Sequence, residues 1–217
     1  MNENGIHKVI GVRHLTDSCY ILKLERNNLH FIPGQVILLG ENKEQDSRPY
    51  SIYSSIHDDF IEVLIKEIEN GVLSPKLKGL QPGDLITISP PHGYFTIDPT
   101  DIPEKEYLFI ATGTGIGPFH CFVKSYPDIR YRLIHGVKYS HEAYEKFEYK
   151  QDCYILCNSR EKMGDFNGRV TDYLKNIAIN PDAFYYLCGS YSMIDDVFDL
   201  LSEKGIPKSK IKTEGYY

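Results

Sequence analysis

The stretch Tyr107-Leu-Phe-Ile-Ala-Thr-Gly-Thr-Gly-Ile-Gly-Pro118 decides how this chain of 217 residues is read. An apolar strand over 107–111 runs into three glycines within five positions, which lets the backbone approach a ligand closely, and Pro118 suits the first turn of a helix. A helix N-terminus presents unpaired N–H groups and a partial positive charge, and both favour phosphate. The spacing is not the G-x-G-x-x-G fingerprint, so a plain tight turn is the competing reading of these residues taken alone.

Working outward, the chain beyond this turn alternates. A strand over 132–137, a helical stretch from His141, a strand over 153–157, a helix after Arg169, a strand over 184–188, a helix from Met193 and a short strand over 211–214 follow in order. That βαβα succession predicts a doubly wound, five-stranded parallel sheet with helices on both faces. Before the turn the pattern differs: extended runs over 8–13, 19–24, 35–39, 50–54, 61–68 and 84–88 are separated by turn formers such as Asn27-Asn28, Pro33-Gly34 and Gln81-Pro82-Gly83-Asp84. Many short strands of this kind suggest an antiparallel barrel or sandwich. Residues 98–104, with two prolines among polar neighbours, form the natural linker, which divides the chain into 1–98 and 99–217.

Composition narrows the partners. The formal net charge of −6 argues against non-specific nucleic-acid binding, whose affinity comes from neutralising phosphates. No signal-peptide pattern opens the sequence and no apolar run approaches the length of a membrane span, so a cytoplasmic protein without membrane attachment is expected. Five cysteines show no framework-like spacing. Cys153 and Cys157 share one face of a strand about 13 Å apart, too far to grip one metal ion, so none is expected. Eight histidines are scattered without a Ser, Cys or acid at motif spacing and receive no catalytic role.

A second place suited to anions lies in the first half. Gly71-Val-Leu-Ser-Pro-Lys-Leu77 puts Ser74 where an N-cap belongs and Pro75 at the first helical position. Upstream, Arg48-Pro-Tyr-Ser-Ile-Tyr-Ser54 reads as a strand with Arg48, Tyr50 and Ser54 on one face and Ser51 on the other. An arginine, an aromatic ring and a hydroxyl so arranged can hold a diphosphate, cover a flat ring and hydrogen-bond its edge.

These motifs, taken in sequence with Leu-x-Pro-Gly-Asp after Leu77, Gly93-Tyr-Phe95, Asn158-Ser-Arg-Glu161, Gly168-Arg169, Leu-Cys-Gly189 and Glu214-Gly-Tyr-Tyr217, resemble the bacterial ferredoxin/flavodoxin–NADP reductases of the wider ferredoxin reductase family. The resemblance runs from residue 48 to 217 and implies a six-stranded FAD-binding barrel over 1–98 followed by an NADP-binding α/β domain over 99–217. It implies that Arg48 holds the FAD diphosphate, with Pro49 beside it, and that Tyr50 stacks on the isoalloxazine. Ser51 is placed near flavin N5. Ile65, Lys66, Val72, Leu73 and Ser74 line the ribityl and diphosphate region, and Thr114 touches both cofactors. Tyr216 covers the opposite flavin face, with Tyr217 as an extra residue. The resemblance further implies that Cys188 and Glu214 flank the nicotinamide and position the hydride donor, and that Gly115, Gly189 and Met193 belong to the NADP site.

The preference for NADPH has its own argument. Ser159 and Arg160 follow the strand over 153–157, and Arg169 comes nine residues later, so a hydroxyl and two guanidiniums gather for a 2′-phosphate. An NAD enzyme wants an acid there. Lys138 stands where related enzymes often carry Arg, and lysine lacks the planar fork, which predicts a softer preference. The implied reaction passes hydride between NADPH and the flavin, and single electrons between the flavin and ferredoxin or flavodoxin. Such a carrier is usually acidic; on a net-negative monomer its docking is transient, electrostatic and dependent on a local basic patch, for which Lys76, Lys78 and Lys105 are named. The alternatives are an NAD(P)H-dependent flavin or quinone reductase and an electron-transfer subunit of a larger complex.

Overall fold

The computed structural model describes residues 5–40 and 47–216, so Tyr217 lies outside the described residues. Contacts divide the chain into two compact units, Met1–Thr96 with Gly117–Ser125 and Ile97–Ile116 with Tyr126–Tyr217.

In the first unit six strands pair antiparallel: β1 (Gly5–His14), β2 (Cys19–Glu25), β3 (Val36–Gly40), β4 (Arg48–Ser51), β5 (Phe60–Lys66) and β6 (Leu85–Ile88), in the order β4-β3-β6-β1-β2-β5. The ends of that order meet. Ile52 bridges Val63, and the Tyr53 N–H donates to the Glu62 carbonyl at 2.7 Å, which closes the sheet into the expected barrel. Alternate residues such as Leu22, Leu24, Ile37, Leu39, Ile61, Val63, Ile86 and Ile88 fill its interior. Asn27 and Asn28 both adopt positive φ, and Leu29 N–H closes onto the Arg26 carbonyl at 2.8 Å, the chemistry of a primed turn. A short helix, α1 (Leu73–Lys78), joins β5 to β6.

The helix that follows the glycine turn, α2 (Gly117–Ser125), also belongs to this first unit. Phe119 and Phe122 pack against Phe95, at 6.0 and 6.2 Å between ring centres, and His120 lies flat on Tyr53 at 3.8 Å while its Nδ1–H donates to the Tyr53 carbonyl. Gly34, at φ +90°, makes room: a Cβ there would sit 2.8 Å from the Phe122 ring.

The second unit is a parallel sheet with one strand more than expected. Its strands β7 (Glu106–Thr112), β8 (Arg130–Val137), β9 (Tyr154–Asn158), β10 (Phe166–Asn167), β11 (Phe184–Ser190) and β12 (Ile211–Tyr216) lie in the order β10-β9-β8-β7-β11-β12. The extra strand, β10, has two residues, too few to leave a pattern. Helices α3 (Val170–Lys175) and α4 (Tyr191–Glu203) pack Val170, Leu174, Val197 and Leu201 into one core with Leu108, Ile110, Ile134 and Leu187 of the sheet.

The helical stretch expected from His141 is not an α-helix. Three 3₁₀ turns, Ser140–Glu142, Lys146–Glu148 and Gln151–Cys153, make that crossover instead. The buried side chains there are Tyr144 and Tyr149, five residues apart, off the three-or-four spacing of a helical face. Glu145 between them takes a left-handed conformation at φ +46°. Among the described residues no helix is long and apolar enough to cross a membrane.

Candidate functional site

The carboxyl ends of parallel strands are where such sheets bind ligands, and the predicted dinucleotide residues sit there. After β7 the chain makes a 3₁₀ turn, Gly113–Ile116, before α2. Its glycines serve close approach first: a Cβ on Gly115 would lie 2.3 Å from the Cys188 carbonyl oxygen, and one on Gly189 would lie 2.2 Å from Thr112 Oγ1. The ends of β7 and β11 can therefore close on each other, with Gly115 buried and Thr114 half-buried between them.

At the ends of β8 and β9 the predicted phosphate-binding residues come together. Val137 pairs with Asn158, and beyond that pair the Ser159 and Arg160 N–H groups donate to the Val137 and Lys138 carbonyls at 3.0 and 3.1 Å. Gly168 N–H donates to the Asn158 carbonyl at 2.9 Å, which brings Arg169, the N-cap residue of α3, to the same end. Lys138, Ser159, Arg160 and Arg169 are all exposed. Two nearby carboxylates already accept hydrogen bonds from their neighbours. Glu142 accepts from the Lys138 and Tyr139 N–H groups at 2.9 and 3.0 Å, and Glu161 accepts from the Ser140 N–H and hydroxyl at 2.8 and 2.7 Å. Those Ser140 bonds hold the Glu161 carboxyl below its usual range.

Tyr139 joins this group unannounced by any motif. Its hydroxyl accepts from Arg160 at 3.3 Å, the guanidinium lies 5.9 Å from its ring centre, and the ring stacks parallel to His141 at 5.7 Å. Its place directly after Lys138 was the only available signal.

The ends of β11 and β12 carry a different chemistry. Register places Cys188 opposite Glu214 and Ala111, Gly189 opposite Gly215, and Ser190 opposite Tyr216. Burial pushes the Cys188 thiol well above its usual range; Glu214 adds to that and a hydrogen bond with Tyr216 opposes it. A buried neutral thiol is no nucleophile, so Cys188 is suited to contact and spacing. Met193, expected at the NADP site, is turned inward instead and fills the core beside Val197 and Leu187. At the third position of α4 it falls on the helix's buried stripe, which its residue type alone does not distinguish from a ligand contact.

In the first unit Arg48 is exposed on β4 and Tyr50 is half-buried two residues along the same face. Burial pushes the Tyr50 phenol up to about 12, with Arg48 pulling it back, so the ring is neutral. Pro49 and Lys66 are exposed, Ser51 is buried, and Val72 stands 71% exposed. Ile65 and Leu73 point into the barrel core, so their side chains are not available to a ligand.

Two local expectations are corrected. Ser74 is not the N-cap of α1; Val72 is, and the Ser74 hydroxyl turns inward to accept the Ile68 N–H at 2.9 Å. Ser54 does not share the face of Arg48 and Tyr50, because β4 ends at Ser51 and the Ser54 hydroxyl accepts the Glu62 N–H at 3.0 Å. In both cases a backbone N–H claims the buried hydroxyl. Tyr20 was missed: from β2 its hydroxyl donates to the Ser74 carbonyl and ties α1 to the barrel. Of the lysines named for docking, Lys78 is held by Glu67 and Lys105 by Asp101, at 2.5 and 2.7 Å.

The side chains present fit the groups implied for them. An exposed guanidinium and a neutral ring on one strand face suit a flavin nucleotide, and four exposed basic or hydroxyl groups whose neighbouring carboxylates are occupied suit a phosphorylated ribose. Comparison with known proteins agrees. Residues 12–97 match the family model described as an oxidoreductase FAD-binding domain, and residues 109–199 match that of an oxidoreductase NAD-binding domain. The chain is 30% identical, over 95% of its length and 92% of the relative's, to a ferredoxin–NADP reductase of Azotobacter vinelandii. It is 31% identical to a flavohemoprotein of Bacillus subtilis over 77% of this chain but 46% of that one. Among solved structures, a ferredoxin NADP+ reductase from Neisseria gonorrhoeae with bound FAD and NADP superposes with a TM-score of 0.88 over the whole of both chains, at 21% identity, which speaks for the fold.

Proposed function

This chain belongs to the ferredoxin–NADP reductase family, and from that premise we propose that it is a ferredoxin/flavodoxin–NADP reductase, a monomer that moves reducing equivalents between NADPH and a small acidic carrier. The observation that carries the choice of NADPH is the gathering of Lys138, Ser159, Arg160 and Arg169 at one sheet end while Glu142 and Glu161 are tied to backbone and hydroxyl donors. Guanidinium groups bind a 2′-phosphate through charge-assisted bonds, each worth roughly 1.5–3 kcal/mol.

Residues 1–98 hold FAD and residues 99–217 hold the nicotinamide nucleotide. Arg48 binds the FAD diphosphate, Tyr50 lies against the isoalloxazine, and Ser51 faces its N5 edge. Bound FAD supplies hydride exchange with the nicotinamide and one-electron exchange with the carrier. Thr114 and Gly115 hold the dinucleotide's phosphates through their N–H groups. Cys188 and Glu214 space and orient the nicotinamide, and Tyr216 yields its place to that ring. Lys138 keeps the charge of a guanidinium without its fork, which softens the discrimination against NADH.

A visible spectrum of the purified protein, followed by anaerobic titration with NADPH and NADH, tests the proposal. Yellow protein bleached by NADPH at far lower concentration is the expected result. Colourless protein that refuses added FAD overturns it. Fast turnover of free flavins or quinones with indifference to purified carriers selects the small-acceptor alternative.

A further inference from the structure

His135 is completely buried in β8, and both of its ring nitrogens are engaged. Nε2 lies 2.9 Å from the Gly113 carbonyl oxygen and Nδ1 lies 2.7 Å from the Tyr154 hydroxyl. A carbonyl only accepts, so the proton sits on Nε2; the bare Nδ1 then accepts from Tyr154. Tyr154, His135 and Gly113 form one directed chain that ends on the first residue of the glycine turn. Burial keeps the imidazole neutral by lowering its pKa to about 4.

The consequence lies on the other side of the peptide. No peptide bond among the described residues is cis, and in a planar trans peptide the N–H points opposite to the C=O. With the Gly113 carbonyl drawn down onto His135, the Thr114 N–H is turned away from the sheet. The peptide opens the 3₁₀ turn Gly113–Ile116. Gly113 sits at φ +54°, and a Cβ built on it meets nothing within 4 Å.

We propose that His135 is a positioning residue for the nicotinamide dinucleotide: resting on the assignment of its phosphates to Thr114 and Gly115, it locks the Gly113–Thr114 peptide so that the Thr114 N–H faces the diphosphate. The diphosphate is common to NADPH and NADH, so this residue governs affinity for both, whereas Arg160 governs the choice between them.

Two amide substitutions separate the contacts. The Gln amide nitrogen reaches the place of Nε2, and the Asn carbonyl reaches that of Nδ1. In the FAD-loaded protein His135→Asn is expected to weaken equilibrium binding of NADP+ and NAD+ by the same factor, about tenfold, as for one lost buried hydrogen bond. Binding of 2′-phospho-AMP, which lacks the diphosphate, stays unchanged. His135→Gln is expected to keep both dinucleotide affinities within about twofold of the parent. Equal weakening by Asn and Gln, or none by Asn, overturns the proposal. Should the Asn variant fail to fold, the unsubstituted protein decides: in ¹⁵N-labelled material, saturation with NADP+ is expected to move the Thr114 amide proton downfield. A Thr114 amide that stays put while NADP+ binds removes the role of His135. Failure of the unsubstituted protein to bind NADP+ at all removes the parent reading instead.

Discussion

The two ends of the parallel sheet's carboxyl edge are built on opposite terms. Around β8, β9 and α3 the working groups are exposed, charged and held by backbone bonds beneath them, with Arg160 and Lys138 joined through N–H and C=O. Beneath the glycine turn that follows β7 two groups are buried and uncharged: Cys188 on β11 under Gly115, and His135 on β8 under Gly113. An exposed charge selects a ligand by what it is. A buried neutral group acts by where it holds its neighbours, so its identity says little until its surroundings are known.

The contrast breaks most visibly at Arg160. Arg160→Ala is expected to raise KM for NADPH roughly ten- to hundredfold, as for one charge-assisted bond, and to leave KM for NADH nearly unchanged. Equal rises for both would move the phosphate elsewhere.

The buried end is probed by pH. His135 has its pKa lowered on folding, so the unfolded chain takes up its proton first, and stability is lost as pH falls from about 6.5 towards 4. Between those limits this one group removes about 3 kcal/mol. Urea midpoints at pH 7 and pH 4 are therefore expected to differ less in His135→Gln than in the parent. An identical difference would mean that the imidazole is not buried neutral.

A third test asks whether Cys188 acts by spacing. Cys188→Ala is expected to lower kcat about tenfold, as slight misplacement of reacting atoms does, with KM for NADPH little changed. Iodoacetamide at neutral pH is expected to leave the Cys188 thiol unmodified. Rapid alkylation there would contradict a thiol kept protonated by burial.

The smallest effect concerns Lys138. Lys138→Arg restores a planar fork at the exposed end and is expected to raise the NADPH-to-NADH ratio of kcat/KM by about threefold to tenfold, measured side by side with the parent. No change would place Lys138 outside the phosphate's reach.

Legibility followed the same division. The placement of Arg48, Tyr50, Ser159, Arg160 and Arg169 near the ends of elements is legible from residue type and turn signals, and the close approach at the glycines of 113–117 because only backbone freedom explains three in five positions. Ser74 and Ser54 are not legible because a hydroxyl looks the same in sequence whether it faces a ligand or the backbone N–H of Ile68 or Glu62. The βαβα alternation predicts a helix in the crossover after β8; burial of Tyr144 and Tyr149, five residues apart, overrides it. Met193 was indistinguishable in type from a ligand contact and turned out to fill the core.

By itself the sequence determined the strand-and-turn rhythm of 1–98, the alternation of 99–217, and which charged groups stand at which strand ends, since local periodicity and residue chemistry suffice for all three. Tertiary structure alone decided that His135 meets Gly113, that Glu161 accepts from Ser140, and that Cys188 lies opposite Glu214. Each of those depends on register between strands distant in sequence, and register is fixed by packing of the whole sheet rather than by any one segment.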